Sequence, residues 1–238
     1  MRLSINIDHI ATLRNARGEH RPDPLDAARI VVRAGADGIV CHLREDRRHI
    51  RDRDVELLRK NIATKLDLEM AATPEIIGIA LRLKPDLVTL VPEKRRELTT
   101  EGGLDVLRLR RSLAKAIEQF HGRGIPVSLF VDPQREQIEA SREAGSDMIE
   151  LHTGDYAIAR TDRLRQKHLR GLQAMAAFGR SIGMGVNAGH GLSYTNVVPI
   201  AGIPDIDEVS IGHAVIAHAV FVGLEDAVRE MVQLVKTR

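Results

Sequence analysis

The chain has 238 residues, of which 43% are hydrophobic and 29% charged, with a formal net charge of +2. That balance fits one large soluble unit with a substantial core and excludes a disordered chain. With four Phe, two Tyr and no Trp, so small a charge also excludes a nucleic-acid binder built on phosphate attraction and base stacking.

No apolar run reaches membrane-spanning length, and Met1-Arg-Leu-Ser leads straight into a strand with no signal-peptide layout. A single cysteine, Cys41, leaves no internal disulfide and fits a reducing cytoplasm. Arg outnumbers Lys by 28 to 7, which suits bidentate grip on phosphate, although codon bias accounts for such an excess equally well.

Short apolar runs alternate with helix-period stretches from end to end, the pattern of repeated βα units around a parallel sheet. The first strand is expected over 3–8, with Ser4, Asn6 and Asp8 on one face, Leu3, Ile5 and Ile7 on the other, and His9 next. A helix over 24–34 begins with Pro24 in its first turn and stops at Gly35. Strand two, 38–43, delivers His42, and the following loop carries Arg44 and His49. A helix over 52–62 leads to strand three, 65–70, where Asp67 and Glu69 share a face. A helix over 74–83 precedes strand four, 87–91. Segment 92–103 is longer than a minimal connection, contains Thr99 and ends in a glycine pair, so it reads as a lid.

A helix over 104–123, a strand over 127–131, a helix over 135–144 and a strand over 148–152 follow, the last delivering His152. A long helix over 161–182 leads to strand seven, 185–187, and the His190-Gly191 turn. After a helix over 194–201, strand eight, 208–211, delivers Gly212-His213, and a terminal helix over 214–236 breaks near Gly223. Eight strands with eight helices close a (β/α)8 TIM barrel over 1–238, a single catalytic domain. Ala34-Gly-Ala-Asp-Gly-Ile-Val-Cys-His42 and Ala144-Gly-Ser-Asp-Met-Ile-Glu-Leu-His152 repeat one frame, as βα units do.

Six of the ten histidines fall at or just beyond the end of an expected strand, where side chains converge on one mouth. Asn6, Asp8, His9, Arg14 and Arg17 crowd into twelve residues, which favours a binding role over a lone structural acceptor. Glu69 faces the mouth and suits a general base if apolar surroundings raise its pKa; a salt bridge to a mouth arginine is the alternative. The charged stretch 43–54 is either a solvated loop or a His-plus-Arg phosphate clamp. Asn187-Ala-Gly-His-Gly191 and Ile211-Gly-His-Ala214 are Gly-His turns leading into helices, and they offer backbone N–H groups to a phosphate.

Neither His-x-His nor His-Glu-x-x-His is present, so no metal is expected. No dinucleotide fingerprint or P-loop points to a cofactor, and Lys94 lies within the lid segment, which disfavours a buried Schiff base. Two other readings are a phosphosugar isomerase or class I aldolase, and a non-catalytic phosphate-binding barrel. The last leaves Glu69 beside His42 and His190 unexplained.

Asn6-Ile-Asp-His-Ile-Ala-Thr-Leu-Arg-Asn-Ala-Arg-Gly18, His42-Leu-Arg-Glu-Asp-Arg-Arg-His-Ile50, Leu68-Glu-Met70, Val91-Pro-Glu-Lys-Arg95, Thr99-Thr-Glu-Gly-Gly-Leu-Asp105 and Val186-Asn-Ala-Gly-His-Gly-Leu192 together resemble the pyridoxine 5′-phosphate synthase family of bacterial vitamin B6 biosynthesis. The resemblance runs from residue 3 to about residue 232. It implies a barrel with additional helices that assembles as a homo-octamer, a tetramer of dimers, without metal or organic cofactor. It implies condensation of 1-deoxy-D-xylulose 5-phosphate with 3-amino-2-oxopropyl phosphate. By the same resemblance His42 and Glu69 are proton acceptors and His190 a proton donor. Asn6, Arg17, Gly191, Gly212 and His213 would hold the aminoketone phosphate, and Asp8, His9, Arg44, His49 and Thr99 the deoxyxylulose phosphate.

Overall fold

The computed structural model describes residues 1–93 and 102–236. Its strands are β1 (Arg2–Asn6), β2 (Gly38–His42), β3 (Lys65–Met70), β4 (Leu87–Leu90), β5 (Val127–Val131), β6 (Met148–His152), β7 (Gly185–Gly189) and β8 (Glu208–Ile211). They pair in parallel in chain order, and β1 closes on β8 with Arg2 opposite Glu208 and Ile5 opposite Ile211. Around them lie α1 (Asp8–Asn15), α2 (Pro24–Arg33), α3 (Asp52–Asn61), α4 (Pro74–Leu83), α5 (Val106–His121) and α6 (Arg135–Glu143). The remainder are α7 (Gly154–Ala157), α8 (Asp162–Ser181), α9 (Val197–Ala201), α10 (His213–Val222) and α11 (Leu224–Lys236). This is the expected (β/α)8 TIM barrel with additional helices.

The period of two divides each strand into an apolar and a polar face. Leu3, Ile5, Leu66, Leu68, Leu129, Ile149, Val186 and Val209 point outward and are buried against the helices. The opposite face turns into the barrel and carries Ser4, Asn6, Asp67, Glu69, Thr89, Ser128, Glu150, Asn187 and Glu208. Barrel interiors are ordinarily packed with branched aliphatic residues, so this one is unusually polar.

Buried charge must be paired, and the lower interior meets that demand. Lys65 Nζ lies 2.7 Å from Glu208 Oε1, which also accepts from Ser4 Oγ at 2.8 Å. Arg2 Nε stands 3.2 Å from Glu208 Oε2, and Thr89 donates to Asp67 at 2.8 Å. Burial pushes the Asp67 carboxyl up to about 6, against the opposing pull of Lys65 and Thr89. The floor is thus an ionic plug, and the open end is left for the site.

Two differences from the sequence expectation bear on that end. β1 stops at Asn6, because Asn6 Oδ1 accepts the Asp8 N–H at 2.9 Å and turns the chain. Asp8 therefore opens α1, a helix that the residue pattern did not reveal, instead of closing a strand. The four-residue α7 was also unforeseen; it is too short to have a readable period. Among the described residues, no helix is long and apolar enough to cross a membrane.

Candidate active site

At the carboxyl end of the strands lies a cavity of about 530 Å³. Asn6, Asp8, His9, His42, Arg44, His49, Glu69, His190, Gly191, Gly212 and His213 all line it, so eleven of the residues singled out from sequence meet at one place. Arg17 does not: it lies in the exposed turn after α1, because that helix ends at Asn15 and directs the following residues to solvent. Thr99 and Lys94 lie outside the described residues.

Asp8 organises one wall. Its Oδ1 accepts the buried His42 N–H at 2.8 Å and its Oδ2 accepts from Asn6 Nδ2 at 3.0 Å. The same Asn6 amide reaches Glu69 Oε2 at 3.4 Å. His42 Nε2 is 2.9 Å from Glu93 Oε1, and Glu93 Oε2 accepts the Glu45 N–H at 3.2 Å. Burial pushes the Glu93 carboxyl up, but its hydrogen bond and charge interaction with His42 outweigh that and hold it below the ordinary value.

Glu69 and Glu150 form the acidic centre. Burial raises Glu69 well above the usual carboxylate range, with the Glu150, Asp8 and Asp67 charges adding to it. Burial likewise lifts Glu150 to about 8, reinforced by Asp67 and Glu208 and opposed by Lys65. Two carboxyls, one buried and one half-buried, facing one cavity cannot both ionise cheaply, so a proton stays on the pair over a wide pH range. A Cβ on Gly189 would stand 2.1 Å from Glu150 Oε1, so the bare β7 backbone makes the room that Glu150 occupies.

The far wall is the His190-Gly191 turn. His190 has φ +77°, a left-handed conformation that costs a non-glycine residue of order 1–3 kcal/mol and persists only where neighbours enforce it. Thr153 supplies the restraint, its hydroxyl donating to the Gly189 carbonyl at 2.8 Å and the His190 carbonyl at 2.5 Å. Burial, with a smaller contribution from the neighbouring His152, holds the His190 imidazole down to about 4. Gly212 precedes α10, whose first N–H groups, at His213 and Ala214, have no intrahelical acceptor, and the His213 ring lies tilted against His9 with centroids 4.9 Å apart.

The family described as "Pyridoxal phosphate biosynthesis protein PdxJ" matches residues 3–237. The chain belongs to that family. A protein of Pelodictyon phaeoclathratiforme named pyridoxine 5′-phosphate synthase is 55% identical over 236 residues, covering 99% of this chain and 100% of that protein. One of the same name from Geobacter sulfurreducens is 56% identical over 235 residues, covering 99% and 98%. Among solved structures, a 3-hexulose-6-phosphate synthase superposes with a TM-score of 0.65 at 14% identity, over 99% of this chain and all of that one, which is a likeness of fold alone. The chain is therefore an enzyme of the pyridoxal phosphate biosynthesis family.

Two residues at the site, Glu150 in the cavity lining and Glu93 on His42, are not singled out by the sequence pattern. Glu150 stands in β6 one layer below His152, in the same period-two frame that singled out Glu69, yet the strand was noticed only for its histidine. Glu93 sat in a recognised motif, but its pairing with His42 depends on the path of the chain after β4.

The structure also brings together one ligand atom each from Asp8, His42 and Glu69 within 4.8 Å, a spacing a divalent ion could bridge. Three separate segments supply them, so no sequence motif announces the cluster. Both Asp8 oxygens are already engaged and Glu69 holds its proton tightly, which makes the set a poor resting cation site.

Proposed function

We propose that this enzyme is a pyridoxine 5′-phosphate synthase that condenses 1-deoxy-D-xylulose 5-phosphate with 3-amino-2-oxopropyl phosphate, releasing phosphate and water. The observation that carries the reading is the pair of half-buried Glu69 and buried Glu150, flanked by His42 and His190 in a cavity with two anion-suited ends. One end is the pair of Gly-His turns, where the α10 N-terminus and glycine backbone suit a phosphate. The other is Arg44 with Arg48 and His49. The Ile50 N–H donates to His49 Nδ1 at 2.9 Å, which leaves Nε2 as the nitrogen that donates to a ligand.

The chemistry makes use of that arrangement. The amine of the aminoketone adds to the ketone of the deoxyxylulose phosphate, and water leaves as the imine forms. Removal of an α-proton gives an enamine; a hydroxyl of the deoxyxylulose portion leaves as water and its phosphate follows. A water then adds at that terminal carbon to give the free hydroxyl, while the aminoketone phosphate stays to become the 5′-phosphate. Ring closure and loss of water then give the pyridine. Each step moves a proton on or off carbon or oxygen, so several groups of differing basicity serve better than one strong nucleophile. Glu69, once ionised, is a strong carboxylate base. His42 is held by Glu93 and Asp8 to accept a proton beside it. A neutral His190 still has one N–H to donate, and a phosphate dianion bound at Gly191 and Gly212 favours its charged form.

Imines and enamines hydrolyse, so the same proposal includes closure of segment 92–103 over the mouth. It also includes a single catalytic domain, a cytoplasmic location and a homo-octamer assembled as a tetramer of dimers. Assembly is supported by the apolar end of α10, where Val220 and Phe221 are 72% and 86% exposed. The test is to mix both phosphorylated substrates with metal-free protein and follow the pyridine chromophore. Absence of product with folded protein and authentic substrates overturns the reading.

A further inference from the structure

His152 ends β6 just outside the cavity wall, with 10% of its side chain exposed. Its Nδ1 lies 3.0 Å from Asp132 Oδ1, and the same oxygen accepts the Gly103 N–H at 3.0 Å. The His152 ring meets the His190 ring edge to face, with centroids 5.1 Å apart and planes at 89°. Phe130 lies against both rings, at 5.3 and 6.4 Å. A Cβ on Gly154 would fall 2.4 Å from His152 Nε2, so the imidazole is seated directly on the following turn. His152 thus has a fixed plane, a carboxylate at one nitrogen and His190 against its ring, without lining the substrate cavity itself.

We propose that the Asp132–His152 pair is a positioning element for His190, fixing both the plane of its imidazole and the charge beside it. This rests on His190 acting as an acid–base group. A carboxylate–histidine pair used only for stability has no need to abut the ring that does the chemistry. The hydrogen bond from His152 holds the Asp132 carboxyl below its ordinary value, ahead of the opposing effect of burial. Charge on His152 in turn disfavours charge on His190. The other ionisable groups around His190 are few. Glu150 lies one layer lower on β6, His213 lies tilted against His9 at the β8 side, and Asp155 on α7 is exposed to solvent. Tyr156 and Tyr194 direct their hydroxyls to the Asn196 and Ala227 carbonyls. Among the described residues, His152 is therefore the ionisable group whose ring lies directly against His190.

The test uses His152→Gln and Asp132→Asn in the full-length enzyme, with the His190 ring followed by NMR titration and turnover measured in parallel. In the unaltered enzyme burial, with His152 beside it, holds the His190 imidazole down to about 4, and the titration is expected there. His152→Gln is expected to move that titration upward, toward the ordinary imidazole value, whereas Asp132→Asn, which removes the carboxylate that offsets charge on His152, is expected to move it further down. Turnover should drop by about 10- to 100-fold, the penalty of a misplaced reacting group, with KM for both phosphates little changed. Asp132→Glu should restore part of the loss. Should His152→Gln fail to fold, Asp132→Asn carries the test, since that carboxyl is partly exposed. An unmoved His190 titration in a folded variant overturns the proposal, as does a loss confined to thermal stability. Full turnover in His190→Asn would overturn the acid–base reading beneath it. An inactive His190→Asn together with an unmoved titration in His152→Gln overturns this proposal alone.

Discussion

Thr153 fastens His190 by its backbone: the threonine hydroxyl donates to the His190 carbonyl at 2.5 Å, while the Thr153 N–H donates to the Gly189 carbonyl at 2.9 Å. The end of β6 thereby holds the end of β7 in a conformation that His190 would not adopt unaided. Thr153→Val keeps the shape and deletes the donor. We expect it to cost about 1–3 kcal/mol of stability, because the part-buried His190 carbonyl loses its donor while the Gly189 carbonyl keeps only the Thr153 N–H. Turnover should fall by about tenfold or more as the imidazole drifts. Thr153→Ser, which keeps the hydroxyl, should recover most of both. Denaturant unfolding and steady-state kinetics on the two variants decide it, and equal behaviour of Val and Ser would count against the restraint.

The ionic plug makes a different prediction, about stability alone. Glu208 pairs with Lys65 in the barrel floor and with the exposed Arg2 at its outer edge, away from the substrate cavity. Glu208→Leu should destabilise by about 1–3 kcal/mol, because it leaves a half-buried ammonium with only the more distant Asp67 as partner. Adding Lys65→Met should return much of that loss, since removing both charges removes the desolvation cost. Chemical denaturation of the single and double variants reads this out. A double variant no more stable than Glu208→Leu would show that the charges are not coupled.

The barrel was legible in the sequence because strands buried on both faces give short apolar runs, and each was followed by a turn and a helix-period stretch. Glu69 was legible for the same reason: period two puts it at the mouth once Lys65–Met70 is a strand. The register that sets Glu150 under Gly189, or Lys65 beside Glu208 across 143 residues of sequence, needs the closed barrel and was not legible. The strain at His190 was hidden too, because a His-Gly pair suggests that the glycine alone takes the left-handed conformation, and here both do. Arg17 is named by its motif, but α1 directs it to solvent instead of into the cavity of its own chain.

Chelation should leave activity unchanged. The Asp8, His42 and Glu69 atoms lie close enough for a cation, but Glu69 would first have to lose a proton it holds well above the ordinary range. Binding a divalent ion there would also occupy the groups proposed as bases, so added Zn²⁺ is expected to inhibit. Activity after exhaustive EDTA treatment, then across a Zn²⁺ series, is the measurement. Activation by the metal would reverse the assignment of these three side chains.

Glu69 and Glu150 give the sharpest dependence on pH. Glu69→Gln, nearly isosteric, should retain the fold and lower turnover by about 10²–10⁴-fold, the usual contribution of a positioned general base. The active form of the pair is the ionised one, so wild-type kcat/KM should climb with pH across the region near 8, where Glu150 titrates. Because the Glu150 charge helps to raise Glu69, Glu150→Gln should move that limb to lower pH. Stability runs the opposite way. A carboxyl whose folded pKa lies above its unfolded value, about 4.3 for glutamate, binds more protons when folded. Its stabilising contribution is complete below the unfolded value and is lost as pH rises through the folded one, for Glu150 between about 4.3 and about 8. Glu150→Gln should therefore gain stability over wild type progressively through that window and level off above it. Parallel melting curves and pH–rate profiles test both halves. A wild-type limb that stays in place in Glu150→Gln, or a stability difference that does not change with pH, would show that the two carboxyls do not share a proton.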